Sequence, residues 1–237
     1  MKQAPISLFI ISFLLGLSSL SAFAQNQQAQ DSVVYKEKYG LRLGVDLSKP
    51  VRTFFEDGYK GFEIVGDYRV YDNFYAAAEI GNENRQFEGD QITVTSKGSY
   101  AKIGADYNAY ENWQDMQNSI FVGLRYGFST FSQELEEYSI YNTNQYFGPD
   151  IRQVNSETKG LTASWVELMV GIKVEVLNNL FLSANVQLKR RLFQTTPNNF
   201  DNLIIPGFNR TYDGSEFGVG YGYSLSYLIP LYKKERD

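Results

Sequence analysis

Tyr39–Leu47 reads YGLRLGVDL, and its two registers differ in kind: the odd positions are Tyr39, Leu41, Leu43, Val45 and Leu47, the even ones Gly40, Arg42, Gly44 and Asp46. Successive side chains of a strand point to opposite faces, so this segment has one apolar face and one ionic face. The split recurs. After a first strand at 38–48, the same alternation marks 60–71, 74–83, 97–110, 119–131, 161–176, 180–192 and 217–232. In 119–131, Ile120, Val122, Leu124, Tyr126 and Phe128 oppose Gly123, Arg125, Gly127 and Ser129; in 161–176, Val166, Leu168, Val170, Ile172, Val174 and Val176 oppose Trp165, Glu167, Met169, Gly171, Lys173 and Glu175. Eight such strands predict an all-β fold: an eight-stranded antiparallel up-and-down β-barrel with a filled polar lumen.

The connections support a transmembrane version of that barrel. Asp72-Asn73, Asn178-Asn179 and the stretch 111–118 are short, whereas those carrying Pro50, Glu88-Gly89-Asp90, 133–160 and 193–216 are long. Short turns alternating with long loops are the outer-membrane pattern, with both termini in the periplasm. Alternation alone also fits a periplasmic ligand-binding barrel whose apolar face points inward. Charge placement favours lipid outside, because a Lys or Arg facing mid-bilayer costs roughly 2–4 kcal/mol. The apolar register carries one such residue, Arg190, near a strand end. Glycines gather on the ionic register, where a narrow interior filled by long side chains needs room. Two aromatic girdles are predicted, with Tyr71, Phe74, Tyr110 and Trp113 at the short turns and Tyr59, Phe128, Phe131, Phe193 and Phe217 at the long loops.

Leu8 to Leu20 is almost uninterruptedly apolar and Ala22-Phe23-Ala24 offers a small-x-small cleavage signal, so 1–24 reads as a secretory signal peptide. Residues 25–37 form a polar lead, 38–232 the barrel and 233–237 a charged tail. Beyond the signal no apolar run approaches the ~20 residues a membrane helix requires. A net charge of -5 argues against a nucleic-acid partner. The absence of cysteine removes a lipoprotein anchor and any disulfide framework.

The inward register supplies the candidate site. Its acids are Asp46, Glu63, Asp67, Glu79, Glu83, Asp106, Glu167 and Glu175, and its bases Arg42, Arg69, Lys102, Arg125, Lys173, Lys189 and Arg191. Near balance predicts a salt-bridged structural plug, with Arg125 and Glu167 in one network; a narrow gated ion path is the functional alternative. The chain has no His and no Cys, so the commonest proton shuttle, the usual barrel-hydrolase arrangements and a zinc or copper site all lack their residues. Carboxylate pairs such as Glu79/Glu83 and Glu63/Asp67 read as ion-pair partners. The chain is therefore read as a non-enzyme without cofactor or metal.

Binding is expected at the loops. Tyr138, Tyr141, Asn142, Asn144, Tyr146 and Phe147 give 133–148 a Tyr/Asn composition suited to protein or glycan contact. The remaining partners expected of a monomeric barrel are outer-membrane lipid and lipopolysaccharide.

Across 38–232 the plan resembles the small eight-stranded barrels OmpX and the OmpA transmembrane domain. The stretches KYGLRLGVDLSKP, GFEIVGDYRV, KGSYAKIGADYNAY and VGLRYGFSTFSQ resemble a family of small outer-membrane barrels typical of the Bacteroidota. That resemblance implies a Gram-negative outer membrane and carries over no activity or catalytic residue. A looser similarity of architecture links the chain to PorT-like accessory barrels of an envelope secretion machine.

Overall fold

The computed structural model describes residues 36–110, 117–140, 150–198, 200–212 and 214–235. Its strands are β1 (Lys36–Asp46), β2 (Tyr59–Tyr71), β3 (Phe74–Glu88), β4 (Ile92–Asn108), β5 (Ser119–Ile140), β6 (Asp150–Leu177), β7 (Leu180–Gln194), β8 (Ile204–Ile205), β9 (Asn209–Arg210) and β10 (Phe217–Glu235). One helix, α1 (Ser48–Phe55), follows β1. Eight strands close in the order β1-β10-β7-β6-β5-β4-β3-β2, and β8 and β9 form a separate two-stranded sheet. Every pairing is antiparallel. Predicted signal peptide 1–24, most of the lead and Trp113 lie outside the described residues.

The wall is inside out relative to a soluble protein. Ile80, Ile103, Leu124 and Val219 are 60–70% exposed, while Arg42, Glu63, Lys102, Asp106, Arg125, Glu167 and Lys189 are buried. The apolar register thus faces outward around the cylinder, in a belt far larger than scattered surface hydrophobes form. Arg190 is exposed on that face and lies 3.2 Å from Glu216 near the end of its strand. Inside, missing side chains make room for rings: a Cβ on Gly127 would lie 2.3 Å from the indole of Trp165, and one on Gly81 2.4 Å from the phenol of Tyr100.

Three aromatic assignments are corrected. Tyr39, beside an irregular pairing of β1 with β10, is buried at 3% exposed, stacks on Tyr232 at 5.1 Å and donates to Asp72 at 2.9 Å. The extra residue at this irregularity is Leu231 of β10, which lies unpaired between Pro230 and Tyr232. Tyr59 and Phe131 also point inward rather than into a girdle. Tyr71, Phe74, Phe128, Phe193 and Phe217 are exposed.

The loop end differs more. Residues expected in the connections after β3 and β5 continue the ladder: Asn84 to Glu88 pair with Lys97 to Thr93, and Gln133 to Ile140 with Thr158 to Asp150. The turn after β3 therefore shrinks to 89–91, closed by the Gly89 amide donating to the Ile92 carbonyl at 2.8 Å. From Asn84 to Glu88, and beyond the buried Gln133, neither face of the strand is buried, so nothing enforces alternation although the pairing persists. Four strands, β3 to β6, rise together as a wall on one side. Glu136 ties its hairpins, accepting from Gln86 at 2.8 Å and Thr95 at 2.6 Å.

On the opposite side the wall is low. β1 stops at Asp46, whose carboxylate accepts the Ser48 amide at 2.7 Å and bends the chain into α1. Pro50 sits in the first turn, where its missing amide proton would have no helical acceptor. Residues 48–55, expected as strand end and surface connection, are instead helical. Val51, Phe54 and Phe55, at helical i, i+3, i+4 spacing, face outward, while Lys49 is buried.

Candidate functional site: a charge-filled lumen under a folded-in loop

The inward charges form one chain. Arg42 holds Asp67 through two nitrogens at 2.7 and 2.9 Å. Lys173 bridges Asp67 at 2.8 Å and Asp106 at 3.1 Å, and Arg125 bridges Asp106 at 2.7 Å and Glu79 at 3.2 Å. Lys102 gathers Glu79 at 2.7 Å, Glu63 at 3.3 Å and Glu167 at 3.9 Å, and Lys189 closes on Glu167 at 3.3 Å. Five bases and five acids make this chain neutral. Register forces the alternation, because neighbouring strands bring Glu79 opposite Lys102 and Arg125 opposite Glu167. Arg125 and Glu167 do not bond each other; Glu79 and Lys102 link them.

The other predicted charges serve the ends. Arg69 donates to the Asp72 carbonyl at 2.6 Å and lies 4.7 Å over the Tyr39 ring. Glu175 accepts the Asn179 amide at 2.8 Å and faces Lys38 at 3.4 Å, bracing the turn beside the N-terminal strand. Arg191 donates to the Ser215 carbonyl at 3.5 Å, and Asp46 turns the chain after β1. Glu83 joins the site through Lys49 at 2.5 Å and Tyr59 at 2.8 Å.

Sequence reasoning missed the cap. The β7–β10 connection folds back over the lumen, burying Ile204, Ile205, Pro206, Gly207 and Phe208. Phe208 and Ile205 cluster with Tyr100, Phe131, Leu161, Ala163 and Trp165, the Phe208 and Trp165 rings meeting edge-on at 5.9 Å. The loop docks through its backbone: the Gly207 amide donates to Glu83 at 2.8 Å, and Lys189 donates to the Gly207 carbonyl at 2.6 Å. Gly207 has φ 80, and a Cβ there would press on the Tyr100 ring, so glycine is required twice over. The run IIPGF at 204–208, apolar in a polar loop, is the signal that marks it.

Around Asp67 and Asp106 the ionic chain leaves little room. The cavity around Arg42, Asp67, Asp106 and Lys173 holds about 40 Å³, the scale of a single water. Each carboxylate of the chain faces a cation. Of the candidate contact residues, Tyr138 lies exposed on β5, whereas Tyr141, Asn142, Asn144, Tyr146 and Phe147 lie outside the described residues.

At the rim, Arg52 lies 2.8 Å from Glu56 and 4.0 Å over the Tyr59 ring, and Arg85 reaches Glu56 at 3.1 Å. The Arg52 hydrogen bond, with the charges of Arg52 and Arg85 acting against partial burial, holds the Glu56 carboxyl below the usual carboxylate range. A carboxyl depressed on folding adds stability that is complete above its unfolded value of about 4.3 and is lost as pH falls through the lower folded value. For so exposed a pair the loss is below about 1 kcal/mol. Glu56→Gln should remove that part of the acid dependence in urea unfolding, with a slightly lower neutral midpoint; an unchanged acid limb would contradict the assignment.

Among solved structures, that of Ail, the attachment invasion locus protein of Yersinia pestis, aligns over 83% of this chain and 99% of its own with 12% identity and a TM-score of 0.37. No curated protein matches the chain. A family model described as a domain of unknown function, DUF6048, matches residues 6–234, and the chain belongs to that family.

Proposed function

We propose that this protein is a non-enzymatic outer-membrane barrel that acts through what it displays above the membrane, as a surface-interaction or envelope-structural protein. The observation that carries the reading is the inverted wall: a closed cylinder with its large apolar side chains outside and its charges inside. Such a belt is stable in lipid and aggregates in water. The neutral ionic chain and the docked loop argue against a diffusion pore. Lipid and lipopolysaccharide then surround the belt, both termini lie in the periplasm, and a protein or glycan partner meets the raised β5–β6 ribbon.

The protein should fractionate with the outer membrane as a heat-modifiable band; recovery in the soluble periplasm would end the reading. Replacing 137–154 with Asn-Gly keeps the Leu135↔Ser156 pair and should leave a folded barrel that loses its captured partners. Identical partners before and after that deletion would instead support an accessory subunit of an envelope machine, engaging through the turn end. Steady single-channel conductance of the unmodified protein would favour the gated path.

A further inference from the structure

The barrel wall has a gap. β1 pairs with β10 only from Lys36↔Glu235 to Asp46↔Ser224, and with β2 only from Leu41↔Tyr68 to Val45↔Ile64. Toward the loop end no strand therefore lies between Phe217–Tyr223 of β10 and Tyr59–Glu63 of β2. The Leu47 amide, donating to the Tyr223 carbonyl at 2.8 Å, makes the last backbone link to β10. Beyond it α1 fills the gap unevenly. On the β2 side the Gly61 amide donates to Thr53 Oγ1 at 3.1 Å, so that edge is capped. On the β10 side a cavity of about 680 Å³ separates helix from strand.

The lining of that cavity is of two kinds. Val186, Val219 and Tyr221 belong to the exposed apolar belt, whereas Lys49, Lys102 and Lys189 belong to the buried top of the lumen. The cavity therefore opens sideways, toward the surroundings of the belt. Its cations are Lys49, Arg52, Arg85, Lys102, Lys189 and Arg210, against the carboxylates Asp46, Glu56 and Glu63. Several are already committed to acids. Arg210 is not: among the described residues its guanidinium lies over the rings of Phe87 at 4.7 Å and Tyr212 at 5.3 Å and meets no carboxylate. Asn209 beside it donates to the Val219 carbonyl at 3.3 Å, on the open edge of β10.

We propose that this lateral opening binds an anionic amphiphile from the outer leaflet, its phosphate or carboxylate head at Arg52 and Arg210 and its acyl chain along Val186, Val219 and Tyr221. The inference rests on the membrane reading above. The uncommitted guanidinium of Arg210 selects the head, and continuity with the belt selects the tail; no water-soluble ligand needs both. A planar guanidinium pair suits a phosphate or carboxylate better than lysines would.

The test uses the full mature barrel in a neutral maltoside detergent, titrated calorimetrically with dodecyl phosphate, with inorganic phosphate and dodecanol as competitors. Folding is followed separately by heat-modifiable migration, so failure of the site and failure of the barrel reading are distinguishable. Dodecyl phosphate should saturate at one per barrel, with neither competitor displacing it at matched concentration. Arg52→Gln with Arg210→Gln should weaken binding about tenfold or more, the scale of losing a charge-assisted contact. Arg210→Gln alone, at an exposed position, serves if the pair fails to fold, and should weaken binding severalfold. Absence of saturable binding, equal displacement by inorganic phosphate or dodecanol, or unchanged affinity in the variants would each overturn the proposal.

Discussion

Lys102→Met should lower the unfolding free energy of the barrel by about 3–5 kcal/mol, the range for breaking a buried ion pair from one side. Among the described residues Lys102 is the one cation facing three carboxylates, at 2.7, 3.3 and 3.9 Å. Of those acids, Glu63 has no second cation within bridging distance among the described residues, and besides Lys102 it receives the Tyr100 hydroxyl. Glu79 keeps Arg125 and Glu167 keeps Lys189. Glu63 is therefore the carboxylate the substitution strands. Adding Glu63→Gln should return a good part of the loss, visible in a double-mutant cycle of urea midpoints. Additive losses would mean that the charges stand independently and no chain exists.

Phe208→Ala should release the cap without unfolding the barrel. Truncating a buried phenylalanine costs about 3–5 kcal/mol when the site cannot collapse. Here the loss is bounded by the docking energy of the loop, because the loop can leave while the strand ladder stays. The expected signature is local. In a Trp113→Phe background, Trp165 emission should shift to the red and become quenchable by acrylamide, while heat-modifiable migration is retained. Trp165 unchanged in emission would show that the ring is shielded by something other than Phe208.

The belt was legible in the sequence because a strand with lipid on one side and a packed lumen on the other has two different solvents, and a period of two records them. The period put Leu124 and Val170 on one face and Arg125, Glu167 and Lys189 on the other, and the placement of charges and glycines turned the first face outward. Legibility ended where the two-solvent condition ended. Asn84 to Glu88 and Glu134 to Ile140 continue strands with neither face buried, so their residues carry no alternation to count. Tyr39 was misplaced because its burial comes from Asp72, 33 positions away, and from Arg69, which no local alternation records. Lys49 and Gly207 belong to the site through Glu83, at separations of 34 and 124 residues. No local pattern encodes such a meeting, although the hydrophobic run at 204–208 did announce a segment in need of burial.

The short ladder between β1 and β2 has a mechanical consequence. Five residue pairs join those strands, where fifteen join β3 to β4. Hydrogen bonds along a ladder share a load, so the tube tears along its shortest row of stitches. β1 should swing out hinged on β10, which holds it through eleven pairs. Amide protons of Leu41 to Val45 that face β2 would then exchange before any in the β3 to β6 wall.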